Sequence, residues 1–103
     1  MGKLKNIHPG EVLEEEFLKP LNITAYALAK GTGISQTRVS QIIKGKRRIT
    51  ANTAIRFAKF FETSPHFWLG LQNDYDIEEE QTSKNQVFNR ITAVRVKKTV
   101  TNT

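Results

Sequence analysis

The fold of this 103-residue chain is decided by residues 24–45, TAYALAKGTGISQTRVSQIIKG. Thr24 is a residue type that caps helix N-termini, and apolar residues follow it at the spacing of one helix face. Ser35 starts a second apolar series, which includes Val39 and Ile42 and stops before Gly45. Only a few residues separate the two series, so the pattern predicts two short helices joined by a tight turn.

The residue types around that turn favour a helix-turn-helix motif. Ala29 is small where the two helix axes would cross, and Gly33 can take the positive φ that a tight turn requires. The space between the helices would be filled by four apolar side chains: Leu28, Ile34, Val39 and Ile42. An unrelated pair of packed helices could share the alanine and the glycine, but it would not need all of these positions together.

Burial of the apolar side chains would turn a polar face of the second helix outward. That face carries amide and hydroxyl side chains: Gln36, Thr37, Ser40 and Gln41. Glutamine can pair with N6 and N7 of adenine, threonine can contact a base or a thymine methyl group, and the major groove admits a helix. The alternative is an ordinary solvated helix face. We predict that these four residues read bases of double-stranded DNA.

Charge is unevenly distributed along the chain. The formal total is +6, but residues 30–59 contain eight Lys and Arg and no acidic residue, whereas residues 60–80 contain six acidic residues and no Lys or Arg. A one-signed basic stretch suits a polyanion, although a solvated basic face would have the same composition. The groups placed to hold sugar-phosphate are the helix N-terminus at Thr24 and the side chains of Lys44, Lys46, Arg47 and Arg48.

The pattern outside the motif predicts three further helices, and hence an all-α fold. A first helix begins near Pro9 and ends at Pro20, and a fourth begins after Thr50. A fifth begins at Ser64 and frays within the acidic residues 78–80.

The sequence predicts one compact five-helix domain, residues 1–81, followed by a basic tail, residues 82–103. The tail has β-branched residues and a short alternating pattern. It is expected to be either an extended edge that pairs with another chain or a disordered segment.

Several classes of function do not fit the composition. The chain has no cysteine, so it has no disulfide, thiolate zinc site or cysteine nucleophile. No apolar run approaches the roughly 18 residues that span a bilayer, and no leader pattern is visible, so we expect a cytoplasmic protein without membrane contact. The two histidines lack ligand neighbours and the carboxylates of residues 14–16 point to different faces, so we expect no enzyme, cofactor or metal site.

Two sets of motifs carry a resemblance to a known family. Four short motifs in and directly after the helix pair resemble those of the phage-repressor-like (XRE) helix-turn-helix proteins: LA, GIS, VS and GKR. The flanking motifs HPGEVL (residues 8–13), RIT (48–50) and SPHFWLGLQ (64–72) are similar to those of the HigA-type antitoxins, some of which are called virulence-associated protein I. The resemblance covers residues 7–80 and does not extend into the tail.

The resemblance implies a five-helix homodimer that binds a palindromic operator in its own promoter. It also implies neutralisation of a cognate toxin, usually an mRNA-cleaving ribonuclease. By motif it places Gln36, Thr37 and Gln41 on bases, and it places four cations on phosphates: Arg38, Lys44, Lys46 and Arg47. Arg38 stands where the family often has a small residue, so it could read a base instead.

The fifth helix carries three side chains that are too apolar for a fully solvated helix: Phe67, Trp68 and Leu71. We expect them in the core or in a dimer contact. A basic ribonuclease could dock on the acidic residues 14–16 and 74–80 because of their charge. The alternatives are a stand-alone repressor without a toxin partner and an adaptor that merely keeps the helix-turn-helix shape.

Overall fold

The structure, a computed structural model, describes residues 5–95, and six helices account for most of this part of the chain. α1 is continuous and consists of Pro9–Val12, a π-helical segment Leu13–Leu18, and Lys19–Leu21. The other helices are α2 (Ala25–Thr32), α3 (Gln36–Ile43), α4 (Ala51–Phe61), α5 (Pro65–Ser83) and α6 (Asn85–Asn89). The all-α class is confirmed, and α2 and α3 form the predicted helix-turn-helix.

Hydroxyl side chains set the starts of four helices. The N-caps of α2 to α5 each accept a hydrogen bond from the backbone N–H three residues later: Thr24, Ser35, Thr50 and Ser64. Each cap satisfies one of the N–H groups that a helix start leaves without a partner. The four starts are therefore encoded locally, and all four were predicted.

The predicted end of the first helix was wrong by a short distance. α1 passes through Pro20 and ends at Leu21, and its C-cap Asn22 has a left-handed φ of 57°. Proline removes a backbone donor and its ring crowds the preceding turn, and here the wider π-helical turn that precedes Pro20 accommodates it.

The predicted fraying of the fifth helix was also wrong, because α5 continues to Ser83. The acidic residues 78–80 are exposed, so water screens their mutual repulsion. An ion pair between Glu80 and Lys84, 2.9 Å apart, and a hydrogen bond from the Ser83 hydroxyl to the Glu79 carbonyl support the last turns.

All five predicted helices are present, and the start of the tail adds a sixth, α6, where the sequence pattern led us to expect an extended or disordered segment. The described residues contain no strand, and residues 91–95 have no regular structure. Val87 and Phe88 of α6 are about half and two-fifths exposed, so this helix buries little of its apolar surface. The expectation for residues 96–103 lies outside the described residues, and the division between residues 81 and 82 stays a prediction.

The core is centred on two aromatic side chains, Phe57 and Trp68, which are both fully buried with ring centroids 5.2 Å apart. The indole N–H of Trp68 donates to the Thr63 hydroxyl at 2.8 Å, so its one polar group is satisfied. Leu71 packs against the core, whereas Phe67 is 40% exposed at its rim. Trp68 is thus a core residue.

The N-terminus of α1 meets the C-terminal end of α3 at Gly10. A Cβ at Gly10 would come within 1.8 Å of the Ile42 carbonyl oxygen, which is backbone and cannot rotate away. His8 caps α1, because its Nδ1 accepts from the Gly10 N–H at 2.9 Å. This close approach seats α1 against the end of α3.

Within residues 5–95 there is no helix of sufficient length and hydrophobicity to cross a membrane. The same residues bring together no group of three His, Asp or Glu side chains that could hold a metal ion.

We expect Gly10→Ala to lower the free energy of unfolding by roughly 1–3 kcal/mol, because the added methyl group must push α1 and α3 apart. Gly70→Ala is the matched control, since a Cβ there meets no atom within 4 Å. Replacing this helical glycine should be neutral or should stabilise the protein by about 0.5–1 kcal/mol. Urea unfolding of both variants checks the prediction, and equal effects would contradict it.

Candidate nucleic-acid interface

The apolar underside of α3 fixes the direction of its polar face. Val39 and Ile42 are fully buried, and Ile43 is half-buried at the edge of the core. On the other side Gln36 and Thr37 are exposed. An eight-residue helix held in this way presents its first turn to solvent.

Two of the predicted base-reading residues are less accessible than the others. Ser40 and Gln41 are half-buried, one turn further along α3. The amide oxygen of Gln41 accepts a hydrogen bond from Nε of Arg47 at 2.8 Å. The four predicted residues do share one face, but Gln41 is already paired with a residue of the following loop.

The turn of the motif is fixed by an arginine from α4. Gly33 has a φ of 77°, as predicted. Beside it, Nη1 of Arg56 donates to the Thr32 carbonyl at 2.7 Å, and its Nε donates to the Asn52 amide oxygen at 2.9 Å. Sequence reasoning counted Arg56 only as part of the basic stretch. The spacing of four residues between Asn52 and Arg56 was the one local sequence signal that these two side chains pair on a helix face.

The cations predicted to hold phosphates differ in how far they are already paired: Arg47 is bonded to Gln41, and Arg48 forms an ion pair with Asp76. Lys44 and Lys46 are exposed in and beside the loop after α3, and neither has an ion-pair partner among the described residues. Arg38 is instead half-buried, and its Nη2 donates to the hydroxyl of Thr53 in α4 at 2.7 Å. Arg38 therefore lies against the scaffold rather than fully in solvent.

The start of α2 supplies backbone N–H groups to the same surface. The Thr24 hydroxyl accepts from the Ala27 N–H at 3.0 Å, which leaves the earlier N–H groups of the first turn without a helical partner. Tyr26 follows, is 56% exposed and lines a surface depression together with Lys30 and Gln36. Sequence reasoning did not single out Tyr26, although an aromatic residue two positions after the Thr24 cap was visible in the sequence.

The basic loop after α3 is tied to α5 by a polar network. Gln72 is only 2% exposed, and its amide oxygen accepts from the backbone N–H of Ile49 at 2.7 Å. The amide nitrogen of Gln72 donates to Oδ1 of Asp76 at 2.9 Å. Oδ2 of Asp76 forms an ion pair with Nη2 of Arg48 at 2.7 Å. Both carboxylate oxygens of Asp76 are therefore occupied.

His8 of the N-terminal segment packs beside this network. The imidazole packs edge-on against Tyr75 of α5, with ring centroids 4.8 Å apart, and a Cβ at Gly45 would lie 3.6 Å from the ring. We call the set His8, Arg48, Gln72 and Asp76 the junction. It joins the start of α1, the basic loop and α5.

Burial and charge act in opposite directions on the two titratable groups of the junction. Burial lowers the pKa of His8 below its usual 6.5, against the opposing effect of the Asp76 and Glu11 carboxylates. Burial raises the pKa of Asp76, but the hydrogen bonds from Arg48 and Gln72 and the positive charge of Arg48 outweigh it, so the pKa lies below the usual 3.8. At neutral pH His8 is thus an uncharged cap and Asp76 is a carboxylate.

The geometry defines a class of protein: a helix-turn-helix scaffold that presents the polar face of its second helix beside a cationic loop. A search against known families matches residues 15–68 to a family described as helix-turn-helix. The chain is also similar to virulence-associated protein I of Dichelobacter nodosus, with 41% identity over 86 residues that cover 84% of this chain and 80% of the relative.

Solved structures give the same relationship. The chain matches an addiction module antidote protein of the HigA family from Coxiella burnetii with a TM-score of 0.82 and 41% identity, covering 89% of this chain and 100% of that one. It matches the Pseudomonas aeruginosa antitoxin HigA, solved with the higBA promoter, with a TM-score of 0.81 and 34% identity, covering 86% and 97%. The chain belongs to the HigA-type helix-turn-helix family. These two relatives are named as an antidote protein and an antitoxin, and neither name is that of an enzyme.

We expect the free energy of unfolding to fall as the pH drops below 6.5. The folded protein binds the His8 proton less readily than the unfolded chain does, so acid favours unfolding in this window. His8→Asn keeps a cap acceptor but does not titrate, so it should flatten the profile between pH 7 and 5. Protonation of Asp76 affects the free energy of unfolding only at lower pH, around and below the usual aspartate pKa of 3.8. Urea unfolding at each pH checks this, and an unchanged slope in His8→Asn would contradict it.

Proposed function

We propose that this protein is a sequence-specific DNA-binding antitoxin of a toxin–antitoxin module. It represses its own operon and neutralises a cognate mRNA-cleaving ribonuclease. The observation that carries the DNA-binding half is the outward polar face of α3, which is fixed from below by Val39 and Ile42 and followed directly by a cationic loop.

In this proposal the exposed first turn of α3 enters the major groove. Gln36 and Thr37 reach base edges first, because a recognition helix contacts bases through its N-terminal residues. Ser40 and Gln41 contribute from the next turn, where Gln41 and Arg47 act as a pair. Glutamine paired with adenine and threonine paired with a thymine methyl group give the sequence preference.

Phosphates on both sides of the groove are held by groups that do not distinguish one base from another. The proposed set is the α2 N-terminus at Thr24 with Arg38, Lys44, Lys46, Arg47 and Arg48. Lys44 and Lys46 are exposed and form no ion pair among the described residues, so they can bind phosphate without first breaking another ion pair. Their contribution is sensitive to salt, since binding releases counterions from the DNA.

The DNA-bound species is proposed to be a homodimer on two half-sites. Ile77 in α5 and Phe88 in α6 line one surface groove, and both are exposed, at 54% and 39%. We assign the dimer contact to this apolar surface, since Trp68 is already used inside the chain. The relative from Pseudomonas aeruginosa was solved with the higBA promoter, which supports an operator role.

We expect Gln36→Ala to weaken binding to the DNA upstream of its own gene by about 1–3 kcal/mol and to relax the base preference. Lys46→Ala should weaken binding to all sequences alike and reduce the salt slope by about one, because a single phosphate contact is lost. Titration of both variants against the upstream duplex and a scrambled duplex of equal length measures the difference.

A uniform loss in both variants would contradict this division of roles. In the same experiment, footprinting should show two protected half-sites about one helical turn apart. Light scattering of the complex should give two chains per duplex. A monomer on a single half-site would contradict the dimer.

The antitoxin half of the proposal rests on two acidic surfaces and on the family. Glu16 in α1 and Glu78 in α5 are exposed, and neither forms an ion pair among the described residues. Glu15 is instead paired with Lys19 at 2.8 Å. Exposed carboxylates without an ion pair attract a basic partner such as a ribonuclease that binds RNA.

We expect the protein to co-purify with a small basic ribonuclease encoded beside its gene and to block cleavage of an mRNA by that enzyme. The Gln36→Ala variant is the matched control, because it should lose operator specificity and keep full inhibition. Raising the salt concentration should weaken the complex if the acidic surfaces hold it. A chain that binds its operator but captures no such partner would be a stand-alone repressor.

A further inference from the structure

An acidic side chain lies at the edge of the cationic loop. Asp76 reaches Arg48 from α5, and the two side chains are 34% and 56% exposed, so both can be approached by solvent. A carboxylate beside a DNA-binding surface repels phosphates and should weaken binding. The geometry of the junction gives Asp76 the opposite effect, which is to strengthen DNA binding.

We propose that Asp76 is a positioning residue for DNA binding, which orients the guanidinium of Arg48 toward a phosphate of the operator. The inference rests on the proposed DNA-binding function. The inference extends that function by assigning a role in DNA binding to a residue of α5, outside the helix-turn-helix.

The pair leaves Arg48 able to bind a second anion. A guanidinium has five N–H donors in a rigid plane, and the ion pair with Asp76 engages Nη2 only. Because the side chain remains half-exposed, the other donors can face a phosphate oxygen. A free arginine loses its rotamer entropy on binding, whereas an arginine held by Asp76 has lost part of it already.

Asp76 is itself held in place. Oδ1 accepts from the Gln72 amide at 2.9 Å while Oδ2 accepts from Arg48, so the carboxylate cannot turn without breaking a bond. Gln72 is almost fully buried and also holds the Ile49 N–H. The support therefore fixes both the Arg48 side chain and the backbone that follows it.

Asp74 provides a matched control. It lies on the same helix, is exposed, and makes no hydrogen bond or ion pair with another residue of the described chain. Asp74→Asn and Asp76→Asn change the net charge by the same amount. Bulk electrostatics alone predicts that both changes tighten DNA binding slightly.

The experiment is titration of the purified protein against the duplex upstream of its own gene at several salt concentrations. Asp74→Asn should bind as tightly as the wild type or slightly more tightly. Asp76→Asn should bind about fivefold more weakly, the size expected when one member of a hydrogen-bonded network is removed. Its salt slope should fall by up to about one, since the Arg48–phosphate contact is weakened. A loss of folded protein would not change that slope.

Arg48→Gln tests the same contact from the other side. It should weaken binding and lower the salt slope as Asp76→Asn does. Adding Asp76→Asn to Arg48→Gln should cause no further loss, because Asp76 acts through Arg48. Arg48 is exposed in a loop, so this variant carries the test if Asp76→Asn fails to fold.

Three results would overturn the inference. One is an Asp76→Asn variant that binds as tightly as Asp74→Asn, and another is an Arg48→Gln variant with unchanged binding and slope. The third is a double variant that loses binding again, which would mean that Asp76 acts elsewhere. If the wild type itself prefers no upstream sequence over the scrambled duplex, the proposed function fails together with the inference.

Discussion

The close contact between the backbones of Gly10 and Ile42 is the constraint on which the rest of this structure depends. α3 has only eight residues, and a helix of that length is not stable by itself in water. Its position must come from packing, through the burial of Val39 beneath it and through α1 at its end. Only a hydrogen atom at residue 10 allows the two backbones to approach this closely. The outward direction of Gln36 follows from that contact together with the burial of Val39.

Features encoded by neighbouring residues were predicted correctly from the sequence. Each of the Ser and Thr caps finds its N–H partner three residues further along the chain, as Ser35 does with Arg38. The positive φ of Gly33 and the buried face with Val39 are equally local, because both follow from residue type and helical spacing. The motif that defines the family was therefore readable without tertiary information.

Partners that lie far apart in the sequence could not be predicted in this way. The sequence treats the arginines of residues 30–59 as equivalent cations, whereas Arg38 donates to α4 and Arg56 holds the turn of the motif. Which arginine is paired depends on where α4 and α5 lie, and composition does not contain that information. The persistence of α5 through residues 78–80 was missed for a related reason, since repulsion between carboxylates is weak when all of them face water.

The junction gives a physical reason why the flanking motifs accompany this helix-turn-helix. The loop after α3 belongs to no helix, so its position depends on groups brought from elsewhere. Gln72 from the last motif accepts the Ile49 N–H of the RIT motif in this loop, and His8 from the first motif packs beside Gly45. Gln72 and Asp76 lie on the same helix as the acidic residues 74–80. Because a helix moves as a rigid unit, displacement of α5 by a partner would also shift the acceptor of the Ile49 N–H. The loop proposed to hold phosphates and the surface proposed to bind a toxin therefore share one structural element.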